Sequence, residues 1–103
     1  MRDIGREQLL KELLALKPVF EREGVIRMAL FGSRARQDNR ADSDVDLIIE
    51  VQEGRKFSGL DLAGVWRIIV DNTGLESSLV LRKGLDDDPA FRARVEQDQI
   101  SVF

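Results

Sequence analysis

The chain has 103 residues, 43% hydrophobic and 34% charged, with a net charge of -3. That length holds one core and excludes a second domain; no apolar run nears the roughly 20 residues a bilayer requires, and the acidic balance speaks against a surface built for direct nucleic-acid binding. Cysteine and histidine are absent, which excludes disulfides and soft zinc sites and leaves hard, oxygen-bound cations as the metals to consider.

From Arg6 to about Glu23, the leucines at 9, 10, 13, 14 and 16 with Val19 and Phe20 follow a helical period. Pro18 lacks the amide that would bond to Leu14, so a kink or a restart is expected there, and Gly24 reads as a left-handed stop. The chain starts on this charged pattern without a secretory signal, and we read the protein as cytoplasmic. Val25 to Phe31 has the length and content of a buried strand. A short helix capped by Ser33 follows, then a polar loop over 38–43.

The next strand, Asp44 to Val51, alternates: Val45, Leu47, Ile49 and Val51 share one face, and Asp44, Asp46, Ile48 and Glu50 the other. After a loop, Leu60 to Asn72 forms a helix with Leu62, Val65, Trp66, Ile69 and Val70 inward, Trp66 filling core, and Gly74 ends it. Leu75 to Leu81 is a third strand with Glu76, Ser78 and Val80 on one face. The acidic run 86–88 is explained by capping: Asp88 and Pro89 open a last helix that runs to about Gln97 or Asp98. On it, Arg92 and Arg94 read as a solvated face. Ile100 to Phe103 docks back on the body. The expected fold is α/β (α+β, two-layer): a three-stranded mixed sheet packed by about four helices, in one domain over 1–103.

Gly32-Ser33, ten further residues and then Asp44-Val45-Asp46 carry the chemistry. A helix opening after a strand offers free amides to an anion, glycine allows close approach, and Arg34 and Arg36 can neutralise phosphate charge. Asp44 and Asp46, roughly 6–7 Å apart along a strand, can hold one or two magnesium ions that accompany substrate phosphates. Together they imply chemistry on a nucleoside triphosphate.

This arrangement resembles the signature of nucleotidyltransferases related to DNA polymerase beta. Phe31-Gly32-Ser33-Arg34-Ala35-Arg36 and Asp42-Ser43-Asp44-Val45-Asp46-Leu47 are similar to minimal nucleotidyltransferase (MNT) domains over nearly the whole chain. The resemblance implies the nucleotidyltransferase fold, phosphate binding by Gly32 and Ser33, and magnesium on Asp44 and Asp46. It also implies antitoxin work: transfer of AMP from ATP to a tyrosine of a HEPN-domain partner, an RNase toxin. An oligomer is compatible with all of this.

Two positions depart from the pattern. Family members often have an aspartate where this chain has Ser78, and serine is a poor metal ligand and no base at neutral pH. Glu76, on the same face but two residues earlier, is the available substitute. Gln37 stands where glycine is common. Two readings follow: an active enzyme, or a binding module of the same fold that neutralises its partner by forming a complex.

Overall fold

A computed structural model describes residues 4–103. The helical pattern at the start resolves into α1 (Arg6–Ala15) and α2 (Lys17–Arg22). Of the two outcomes open at Pro18, the restart is observed: Leu16 leaves helical geometry, and the proline sits in the first turn of α2, where its missing amide costs nothing. Leu9, Leu13 and Phe20 are buried, and Gly24 turns the chain at φ +95°.

β1 (Val25–Phe31) lies at the centre of a mixed sheet, antiparallel to β2 (Val45–Val51), which pairs in parallel with β3 (Ser77–Leu81). The expected three strands are four. Ile100–Ser101 forms β4, antiparallel to β1, giving the order β3-β2-β1-β4. Two residues are too few to show an alternating pattern, so only backbone pairing reveals this strand. The apolar end does dock: Val102 N–H donates to the Met28 carbonyl (2.8 Å), and Phe103 stacks on Phe20.

α3 (Gly32–Arg36) begins one residue earlier than expected, after an extended Phe31, so Ser33 lies inside the helix and makes no cap bond. α4 (Gly59–Thr73) is held at its start by Ser58 and Asp61, which exchange hydrogen bonds as a capping box, and is stopped by Gly74 at φ +73°. α4 buries Val65, Ile69 and Thr73. Trp66 is only half-buried, contrary to expectation; its Nε1 donates to the Ser77 carbonyl at 3.2 Å, shielding the edge strand β3 instead of filling core. A 3-10 segment, Arg82–Asp87, which no periodicity announces, leads to α5 (Pro89–Asp98), where the Asp88 carboxylate accepts from Phe91 N–H.

The larger core joins Val45, Leu47 and Ile49 to Met28 and Leu30 of β1 and to Leu9, Leu13, Val65 and Ile69 of the helices. On the opposite sheet face, Ala29, Phe31 and Ile48 meet Leu85 and Val95. Alternation along β2 thus does what period two demands: odd positions serve one core, and even positions pass from Ile48 in the other core to Asp46 at its rim.

Candidate active site

Three strands present one row. Phe31 of β1 is the register partner of Asp46 on β2, which is in turn the partner of Ser78 on β3. Since cross-strand partners share a face, Asp46 stands between the residue that leads into Gly32 and the position where a further carboxylate is expected. Gly32 has φ +75°, and a Cβ built there would overlap Oδ2 of Asp46 and lie 3.1 Å from its Cγ. Glycine is therefore required twice, by backbone conformation and by the carboxylate lying against it.

Asp46 is half-buried and Asp44 exposed. Burial, then the charge of Asp44, raises the Asp46 pKa above the usual aspartate value, with Arg36 opposing. Two like charges are thus held close on a partly desolvated rim, the arrangement a divalent cation relieves. The donor set fits a hard cation whose other ligands are phosphate oxygens and water. Among the described residues no cluster of three or more acidic side chains forms a cage.

The residues expected to bind phosphate separate. Ser33 is half-exposed at the start of α3. Arg34 is 2% exposed; its Nε donates to the Ser43 carbonyl (3.0 Å) and Nη2 to that of Ala41 (3.2 Å). Its guanidinium is a strut between α3 and the loop that delivers Asp44. Arg36 is paired with Asp38 (3.0 Å) and with Asp98 at the end of α5 (2.7 Å), and these bonds raise its pKa.

The turn after α3 explains how Gln37 replaces glycine. Gln37 adopts φ +66°, the only positive value among the described non-glycine residues. Arg6 donates to the Ala35 carbonyl at 2.8 Å, and with the Gln37 amide turned oxygen-inward it also donates to that side chain. One arginine of α1 thus clamps a turn of unfavourable geometry.

Ser78 is exposed beside Asp46. Val45 N–H donates to the Glu76 carbonyl at 2.9 Å, so the same parallel register continued by one residue sets Glu76 alongside Asp44. Glu76 also lines a cleft of about 320 Å³ with Ala41, Asp42, Ser43, Gly74 and Leu75.

The wall on the β1 side has no counterpart among the sequence expectations. Phe91 of α5 packs edge-on against Phe31, ring centroids 5.8 Å apart, and Arg94 lies over the Phe91 ring. No local pattern signals this, because it depends on how α5 crosses the sheet.

The nucleotidyltransferase domain family matches residues 6–101, and the chain belongs to it. A candidate protein adenylyltransferase of Methanocaldococcus jannaschii is 27% identical over 86 residues, covering 84% of this chain and 88% of that protein. The solved structure of a candidate minimal nucleotidyltransferase matches with a TM-score of 0.76 and 32% identity, covering 94% of this chain and 95% of that one. A chain of a Shewanella oneidensis complex between a tri-AMPylated HEPN toxin and its MNT antitoxin matches with a TM-score of 0.65, covering 95% and 71%. Identity there is 10%, so the likeness is one of fold.

Proposed function

We propose that this chain transfers AMP from ATP to a hydroxyl, a tyrosine by resemblance, on a HEPN-domain toxin, with magnesium, in the cytoplasm. The carrying observation is the carboxylate of Asp46 lying against Gly32 at the entry of α3, with Asp44 beside it. Gly32 and Ser33 receive phosphate through backbone amides and the serine hydroxyl. Asp44 and Asp46 would hold magnesium, which, when bound, neutralises the triphosphate and makes the α-phosphorus more electrophilic. The acceptor oxygen bonds to that phosphorus as the bridge to the β-phosphate breaks; pyrophosphate leaves and the hydroxyl proton passes to a base or to solvent. Arg34 positions the Asp44 loop, and Arg36 ties α3 to α5 near the site.

The relatives support this reading through what they are: a candidate protein adenylyltransferase, and a chain of the same fold from a complex of an AMPylated HEPN toxin with an MNT antitoxin. The test is incubation with the HEPN partner, ATP and magnesium, followed by mass spectrometry. One added AMP with wild type and none with Asp46→Asn is expected; an unmodified partner, or equal modification by the variant, rejects the reading.

A second reading rests on Ser78, which puts a hydroxyl where an acidic ligand would neighbour Asp46. In it, transfer is lost and the chain neutralises its partner by covering it. Protection of cells from the toxin would then survive Asp44→Asn and Asp46→Asn, and Ser78→Asp would create transfer where wild type has none.

A further inference from the structure

We infer that Arg94 is the side chain that meets the nucleotide's β- and γ-phosphates. The inference rests on the nucleotidyltransferase reading above and goes beyond it by naming a cation the motif does not contain. A triphosphate carries more negative charge than backbone amides offset, and the two arginines of the motif are already engaged. Arg34 is buried on the carbonyls of Ala41 and Ser43, and Arg36 is neutralised by Asp38 and Asp98.

α5 carries another arginine toward the end of β1, through the ring of Phe91. Phe91, Arg94, Val95 and Asp98 follow the spacing of one helix stripe. Phe91 and Val95 pack on the sheet beside Phe31, and Asp98 reaches α3 through Arg36. Arg94 lies at the edge of this stripe, exposed, with its guanidinium 5.9 Å from the Phe91 ring. Phe91 in turn touches Phe31, the residue before Gly32 and the partner of Asp46.

Its pairing also sets Arg94 apart. Arg92, two residues earlier, is tied to Asp86 and Glu96. Asp98, the natural partner four residues beyond Arg94, is taken by Arg36 at 2.7 Å. Among the described residues no carboxylate pairs with Arg94, and its resting contact is the face of a ring. Such a contact is weak at an exposed site and is readily exchanged for a phosphate, on which a guanidinium makes paired, charge-assisted bonds.

Calorimetric titration of ATP and of AMP, with magnesium, into wild type, Arg94→Ala, Arg94→Lys and Arg92→Ala tests the assignment. Arg94→Ala should weaken ATP about tenfold, as loss of a charge-assisted contact does, with AMP changed less than about twofold. Arg94→Lys should fall between, and Arg92→Ala should match wild type. ATP affinity unchanged in Arg94→Ala, or an equal loss for AMP, would overturn the inference while leaving the nucleotidyltransferase reading intact. Wild type that binds no ATP would remove both.

Discussion

Replacing Gly32 by alanine separates two demands made on one atom. The first is conformational: a Cβ at φ +75° costs about 1–2 kcal/mol. The second is the overlap with Oδ2 of Asp46, the far end of a short side chain, relieved when the carboxylate rotates off its preferred rotamer for about 0.5–1.5 kcal/mol. The total of about 1.5–3.5 kcal/mol corresponds to about 6–28 °C in melting temperature for a domain of this size. Gly54→Ala isolates the first part, since Gly54 has φ +78° and nothing within 4 Å of the position its Cβ would take. Both variants should melt early, Gly32→Ala by about 0.5–1.5 kcal/mol more. In an Asp46→Ala background, Gly32→Ala should cost no more than Gly54→Ala does, because Oδ2 is gone. Only Gly32→Ala should also cripple AMP transfer, since a misplacement near 1 Å costs about a hundredfold in rate. The reasoning fails if Gly32→Ala melts with Gly54→Ala and still transfers AMP, for then the carboxylate does not lie where Gly32 makes room for it.

Asp46→Asn should stabilise the protein free of nucleotide and magnesium at neutral pH. The folded-state pKa of Asp46 is raised above the ordinary 3.8, first by burial and then by Asp44. As pH climbs from 3.8, the unfolded chain releases this proton first, so folding loses stability up to the folded value and the penalty is complete above it. The advantage of the amide variant should therefore be full near pH 7 and vanish below about pH 3.8, as followed by urea denaturation; a pH-independent gain, or none, refutes the sign. Arg34→Met keeps the stem's volume but removes the donors to Ala41 and Ser43, with a cost of about 1–2 kcal/mol because water reaches this loop. Amide hydrogen exchange should quicken over residues 40–45; lost ATP affinity with exchange unchanged would return Arg34 to the phosphate.

What is legible in the sequence is whatever is decided within a few residues. Alternation reads Asp44 and Asp46 onto one face, although β2 begins only at Val45 and Asp44 stands just before it, and β1 ends at Phe31 where the apolar run stops, so both halves of the site can be read without seeing that they meet. The faces of β3 are legible for the same reason, and with them Ser78. Trp66 misleads because helical period puts it on the inward side of α4 without revealing that β3, an edge strand, lies under it. β4 is too short to carry a period at all.

The arginines show where local reading ends. An arginine one residue past Gly-Ser reads equally well as a ligand for phosphate or as a strut to the next loop, and the choice depends on whether carbonyls come within reach. In this chain those of Ala41 and Ser43 do, so Arg34 turns inward and fixes the loop that carries Asp44. Arg36 is claimed in turn by the end of α5, a partner 62 residues away in sequence. In the proposed reading, both engagements leave the neutralising of a triphosphate to the cations that Asp44 and Asp46 would hold and to α5. The same Arg36–Asp98 pair that occupies one arginine of the motif leaves Arg94 without its natural acidic neighbour, and that vacancy is what the inferred role of Arg94 rests on.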